Sequence, residues 1–491
     1  MTDAVAGEPG EVAGAEGVDL PPIVDVELGT LPLERFAEVL TDEEADALRA
    51  DARVARETFS GRIVWNVNST ATGGGVAEML QSLVPYARGA GVDARWSVIQ
   101  GDEDFFAITK RLHNRLHGSP GDGGELDAAA RTHYEAVLEV NAARLIERLQ
   151  PHDIVTLHDP QTAGLVPLLQ ARGNVVLWRC HVGVDTPDEV VRSAWSFLLP
   201  YVRGADACIF STRGFVWEGL EDVRLAIIPP SIDPFAVKNY EIKPDAVSAI
   251  LSAAGIEDNG ASSEPSFTRM DGTAGTVAHQ AEITESGRLD AQTPIVVQVS
   301  RWDRLKDPLG VLSGFTEHVL PRSDAHLVLA GPSVTHVADD PEGLRACSEV
   351  QTAWHALPAD AAARVHLVTL PMDDLEENAV LVNALQRRAA VVVQKSLAEG
   401  FGLTVAEAMW KTRPVVASAL GGIRDQIEDG ETGLLVDPRD LAGFGDAVLK
   451  LLGDPDAAER MGAAAHERIR TQFLGSRHLG QYLRLISDLM R

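Results

Sequence analysis

The sequence predicts an α/β protein of two doubly wound halves that face each other across a cleft. Strand-like apolar runs alternate with helical stretches along most of the chain, which implies parallel sheets. The alternation occurs twice, from Arg62 to Thr212 and again from Pro294 to Asp437, with a polar stretch between. A chain of 491 residues also exceeds what one compact core holds, so two domains of ordinary size are expected.

Residues 1–30 are expected to be a disordered acidic tail, being rich in Gly, Ala and Glu. Residues 33–57 follow a helical period, with Thr41 and Glu44 spaced as a capping box. The N-terminal domain is placed at 31–235. In it IVWNVNS reads as a buried strand, TATGGG as a tight glycine turn, and VAEMLQSLVPYARGAG as an amphipathic helix ended by Gly91. DARWSVI, DIVTLHD, NVVLWRCH and ACIFST follow as strands. Residues 254–292 have few large apolar side chains and are expected to be a flexible insertion or linker. The C-terminal domain, 293–470, opens a second series: PIVVQVS, AHLVLAG, RVHLVTL, AAVVVQKS, PVVASAL and TGLLVD. Residues 471–491 are read as a helix returning to the first domain. Two such halves predict a ligand cleft at the C-terminal ends of both sheets.

The net charge of −29 disfavours nucleic acid and anionic membranes as partners. No apolar run is long enough to span a bilayer, and the first 25 residues lack the pattern of a signal peptide, so a cytoplasmic protein is expected. Cys180, Cys208 and Cys347 form no paired motif, which argues against a disulfide framework or zinc site and predicts no metal. Lysine is rare, seven against thirty-six arginines, so a lysine inside a motif stands out.

Four segments carry chemistry. In KSLAEGFGLTVAEAMW, Glu399 and Glu407 are eight apart across a glycine turn that follows a strand. Gly400 and Gly402 allow the turn, and the helix starting near Leu403 and Thr404 points free N–H groups and a positive dipole end at the cleft, a ready diphosphate site. Glu407, one turn in, reaches a ribose diol; Glu399 reaches sugar hydroxyls. In VSRWDRLKD, Arg301 and Lys306 follow a strand and would neutralise a departing diphosphate in place of a metal. In TATGGG, Gly73, Gly74 and Gly75 allow close backbone approach to a ligand, although GGG lacks the GxGxxG spacing of dinucleotide folds. His158 and Asp159 end one strand and His181 another; Asp159 would bind an acceptor and His181 the transferred sugar. A thiol nucleophile at Cys180 finds no supporting residues.

EGFGLTVAEAMW, the R-x4-K after VS, and GLLVDP resemble the retaining GT-B glycosyltransferases related to sucrose and glycogen synthases. VNSTATGGGVAEMLQSLVPYARGAGVDARW, LHDPQ, WRCH and VSRWDRLKDP, with NALQRRAAVVVQKSLAEGFGLTVAEAMW, are similar to the trehalose glycosyltransferring synthases. The resemblance covers roughly 35–240 and 293–490. It implies a GT-B fold and transfer of glucose from a nucleoside diphosphate glucose (UDP- or ADP-glucose) to free glucose, with retained configuration and no further cofactor. By the same resemblance Arg301 and Lys306 hold the diphosphate, Glu407 the ribose and Glu399 the donor sugar, with His181 beside it. Gly74, Gly75, Gly402, Leu403 and Thr404 line the donor, and His158 and Asp159 the acceptor. Retaining trehalose phosphorylases share these motifs and remain the near alternative; a non-catalytic sugar-nucleotide sensor is the alternative of another class. Small-molecule substrates are the expected partners, and a homodimer is left open.

Overall fold

The computed structural model describes residues 18–72, 74–257, 263–334 and 341–491. The first sheet is built from β1 (Val24–Asp25), β2 (Val64–Asn68), β3 (Ala94–Val98), β4 (Ile154–His158), β5 (Val175–Cys180), β6 (Ala207–Phe210) and β7 (Leu225–Ile227). Its order is β1-β3-β2-β4-β5-β6-β7, parallel except for β1, which runs antiparallel along β3. After a hairpin of β8 (Ser266–Thr268) and β9 (Ala274–Thr276) come β10 (Glu282–Thr284), β11 (Ile295–Val299), β12 (His326–Pro332), β13 (Val365–Leu370), β14 (Val391–Gln394), β15 (Val415–Ser418) and β16 (Leu434–Val436). The second sheet orders as β10-β13-β12-β11-β14-β15-β16, again parallel apart from its β10 edge.

The inner strands of both sheets are buried on two faces, which is why they read as near-continuous runs of Val, Ile and Leu, whereas the edge strands β1, β7 and β10 are partly or fully exposed. The winding direction reverses between β2 and β4 in the first sheet and between β11 and β14 in the second. At such switch points the loops leaving adjacent strands diverge and open a crevice. The glycine turn, His158-Asp159, Arg301 to Lys306 and Glu399 all follow these four strands.

The chain crosses between the halves twice. The segment after β7 and the start of the last helix, Gly475–Leu489, run side by side: Ile232 N donates to Phe473 O at 3.0 Å and Gly475 N to Ile232 O at 3.0 Å. That helix lies against the helices Asp42–Thr58 and Gly75–Gly89, burying Leu479, Leu483 and Ile486 with Leu48 and Ala52. Thr41 and Glu44 form the capping box of Asp42–Thr58, while Leu33–Glu38 before it is a separate 3-10 turn.

Two expected boundaries are corrected. Residues 1–17 lie outside the described residues, but 18–30 are built into the first domain rather than a tail. Leu20 and Ile23 are buried, Val26 N donates to Trp96 O, and Ser97 Oγ donates to Asp25 Oδ1. Two well-placed apolar side chains and an edge pairing suffice where mean composition points to disorder. Similarly, 254–292 is not a free insertion. Phe267, Val277 and Leu289 are buried in the second core, and β10 pairs with β13; residues 258–262 lie outside the described residues. Replacing Ile23 by Ala should therefore lower the unfolding free energy by about 2–4 kcal/mol in chemical denaturation, whereas a tail residue would change nothing.

Candidate active site

The loop after β11 is a rigid cation-bearing turn. Gln298 Nε2 donates to Lys306 O at 3.0 Å, and Asp303 caps the short turn Arg304–Lys306. Lys306 Nζ reaches Glu399 Oε2 at 2.6 Å, which joins the two switch-point loops. Behind them the buried Lys395 pairs with Asp307 and donates to Pro438 O at 2.7 Å, while Leu397 N donates to Leu305 O at 2.7 Å. Arg301 stays exposed beside Asp303. Removing either partner of the Lys306–Glu399 bridge would strand the other in a poorly hydrated place.

The turn after Glu399 ends at Gly402, whose φ of +84° suits glycine and starts the helix Leu403–Trp410. Thr404 Oγ1 donates to Gln394 Oε1 at 3.0 Å and ties that helix to β14. The turn lies against the other half. A Cβ on Gly400 would stand 2.8 Å from His181 O, and Gly421 N donates to Asp185 Oδ2 at 2.9 Å. The two glycine-started helices also meet, since a Cβ on Gly75 would be 3.0 Å from Leu403 Cδ1. Gly74 is the N-cap of Gly75–Gly89; Gly73 lies outside the described residues.

On the first half His181 is held from three sides. Asp159, at φ +64°, accepts the His181 amide on Oδ1 at 2.7 Å. Arg179 Nε approaches His181 Nε2 at 2.9 Å, and its guanidinium also donates to Tyr482 Oη and Ile228 O, each at 2.9 Å. His158 stacks on His181 with ring centroids 5.6 Å apart and contacts Asn66 Oδ1 at 3.2 Å. Burial pushes the Asp159 carboxyl up to about 7 and His158 down to about 3; burial and then the Arg179 charge hold His181 well below its ordinary value. This placement differs from the one expected for acceptor ligands. His158 is 2% exposed, and half-buried Asp159 gives Oδ1 to the His181 amide, so both support His181. Cys180 is buried, its thiol pushed up by burial and by Asp159, which leaves no thiolate for nucleophilic work.

Two groups of residues escaped the sequence reading. His113 and His117 sit at the end of the helix Glu103–Leu116 with rings 4.9 Å apart. Burial, then the charges of Lys306, Lys110 and Arg301, push His117 down to about 4, which places a neutral imidazole beside the cations. The H-x3-H spacing was a visible signal. Around Glu407 the structure adds Lys238, 3.7 Å from its Oε1 and 2.9 Å from Glu78 Oε2. Burial opposes the charge on Lys238, but Glu407 and Glu78 overcome it and hold the ammonium above its ordinary value. Lys411 donates to Gln386 Oε1 at 2.7 Å, and burial pushes it down to about 7 against the pull of Glu407. Lys238 and Lys411 thus contact Glu407 and Lys306 contacts Glu399, so three of the seven lysines meet these two glutamates, with Lys395 paired to Asp307 behind them. A cavity of about 290 Å³ opens beside Glu407, between the glycine-started helix and the second half. Among the described residues no helix is long and apolar enough to cross a membrane.

Comparison with known proteins agrees with this architecture. Residues 66–217 match the model of the trehalose synthase N-terminal domain, and 279–468 that of glycosyl transferases group 1. The chain is 35% identical over 461 residues to the trehalose synthase of Pyrococcus horikoshii, covering 94% of this chain and 97% of that one. It is 37% identical over 432 residues to that of Rubrobacter xylanophilus, covering 88% and 91%. The trehalose phosphorylase of Grifola frondosa is 25% identical over 417 residues, which span 82% of this chain and 54% of the other. Among solved structures the α,α-trehalose-phosphate synthase (UDP-forming) of Burkholderia vietnamiensis superposes with a TM-score of 0.63 at 16% identity, covering 87% and 99%; such solved neighbours share the GT-B fold. With two family models matched in tandem and close relatives aligned along most of its length, the chain belongs to the trehalose synthase family of GT-B glycosyltransferases.

Proposed function

We propose that this chain transfers glucose from a nucleoside diphosphate glucose to free glucose, giving α,α-trehalose with retained configuration. The observation that carries the reading is the Lys306–Glu399 pair at the second switch point, set against the His181 carbonyl of the first. Lys306 and Arg301, with the N–H groups at Leu403 and Thr404, would take the diphosphate, and Glu407 the ribose. Glu399 then holds hydroxyls of the donor sugar while Lys306 shifts part of its charge to the departing phosphate.

The carboxylates along the seam each have a partner: Glu399 in Lys306, Asp159 in the His181 amide, Asp185 in Gly421 N. This supports a front-face displacement rather than a covalent intermediate. The bond from C1 to the leaving phosphate oxygen breaks as the acceptor oxygen bonds to C1 on the same face, and the phosphate oxygen takes the acceptor proton. The protein supplies placement, charge stabilisation and exclusion of water. Asp159 acts as a positioning residue for the His181 backbone, and burial with the Arg179 charge keeps its ring neutral beside the sugar. The cavity beyond Glu407 favours a nucleotide over inorganic phosphate, which would leave it unused.

Incubating the enzyme with UDP- or ADP-glucose and glucose should yield trehalose, while phosphate-dependent trehalose cleavage without nucleotide should be absent; the reverse result would make the chain a phosphorylase. Lys306→Ala should raise the barrier in kcat/KM by about 3 kcal/mol, and near-normal turnover would remove Lys306 from the mechanism. Glu407→Gln should chiefly weaken calorimetric binding of free nucleoside diphosphate, and Glu399→Gln should chiefly lower kcat. Equal loss of nucleotide affinity in both would contradict the division of roles.

A further inference from the structure

We propose that the β8–β9 hairpin forms the outer wall of the nucleobase pocket, with Met270 at its tip and Met372, from the loop after β13, presenting their thioethers to the base. The inference rests on the reading of Glu407 as the ribose ligand.

The cavity of about 290 Å³ is lined by Glu407, Leu403, Met270, Met372, Leu375 and Asn378 among others, and by none of Arg301, Lys306 and Glu399. It therefore starts at Leu403 and Glu407, where the diphosphate and ribose would meet, and extends away from Arg301, Lys306 and Glu399. Glu407 is 3% exposed, and its Oε2 is buried without a hydrogen-bond partner among the described residues. A buried carboxylate oxygen left bare calls for a donor, and a ribose hydroxyl entering the cavity supplies one. A sugar held there by its diol carries its base a bond away from the ring, into the part of the cavity walled by Met270, Met372 and Leu375. Such walls suit a flat heterocycle, because thioethers make favourable contacts with aromatic rings.

The hairpin is held as a fixed wall. Arg269 spans Asp374 Oδ2 at 2.6 Å and Glu376 Oε2 at 3.0 Å, with its guanidinium over the Phe267 ring. Met270 N donates to Glu376 Oε1 at 2.7 Å, and Thr268 N to Tyr240 Oη at 3.1 Å. Asp374 in turn caps the helix Leu375–Arg388 that carries Leu375 and Asn378. The backbone is thus tied down on both sides of a methionine whose own side chain remains 43% exposed at the cavity. An apolar side chain kept out of the core on a clamped tip is placed for a ligand.

The test measures binding of UDP, ADP and inorganic pyrophosphate to the full chain by calorimetry, for wild type, Met270→Ala and Arg269→Ala. Both variants should bind the nucleotides about tenfold more weakly, with pyrophosphate affinity unchanged. In protein labelled at the methionine methyls, the Met270 and Met372 signals should shift with UDP or ADP through the ring current of the base, and not with pyrophosphate. Unchanged nucleotide affinity in Met270→Ala, an equal loss for pyrophosphate, or methyl signals unmoved by a bound nucleotide would each overturn the proposal while leaving the nucleotide-sugar reading intact. A wild-type protein that binds neither UDP nor ADP would overturn both. Should Arg269→Ala fail to fold, Met270→Ala and the methyl signals decide the matter.

Discussion

The structure depends on one close approach: the backbone of the Glu399–Gly402 turn lies against the His181 carbonyl with no side chain between them. Each sheet opens a crevice at its own switch point, and neither crevice alone holds both the Arg301–Lys306 cations and His181. Bringing the two crevices together requires that the turn crossing the gap be thin. Gly400 provides that thinness, and the hydrogen bond from Gly421 N to Asp185 fixes the register beside it. The adjoining crossings of the chain, at Ile232 and Phe473–Gly475, keep the two halves in line.

Around this seam the electrostatics are arranged against the background of the whole chain. The protein carries a net charge of −29, yet Lys238, Lys306 and Lys411 meet Glu407 and Glu399. Lys395 is buried and compensated by Asp307, so it braces the two loops and leaves Lys306 to work. Lys306 is compensated by Glu399, which keeps both charges paired while no anion is bound. On the proposed reading, an incoming diphosphate would share Lys306 and so loosen Glu399 where the sugar would arrive. On the other side the buried His113 and His117, held below their ordinary values by burial, face Arg301, and His117 also faces Lys306, which lowers the repulsion that charged imidazoles would add.

Most of the fold was legible in the sequence because doubly buried parallel strands leave long apolar runs, as in PIVVQVS and AAVVVQKS, and the capping box at Thr41 announced its helix. Features made by a few residues were not. Leu20 and Ile23 anchor an edge strand from within a polar stretch, and β8, β9 and β10 are three residues each, too short for periodicity to register. The site shows the same division. Glu399, Glu407, Arg301 and Lys306 stand within one or two local motifs, so spacing after a strand singled them out as candidates. Lys238 meets Glu407 only through tertiary folding, and Asp159 turns from the cleft to the His181 amide because its backbone takes φ +64°, which no local pattern foretold.

The thin seam is tested most directly by Gly400→Ala, which leaves every charged group in place. The added methyl would meet the His181 carbonyl at 2.8 Å and force the halves apart. Trehalose formation should fall on the order of 100-fold in kcat, while the thermal unfolding midpoint and the calorimetric affinity for nucleoside diphosphate stay close to those of the parent protein. A variant that turns over at the parent rate would show that the reaction centre does not depend on this contact.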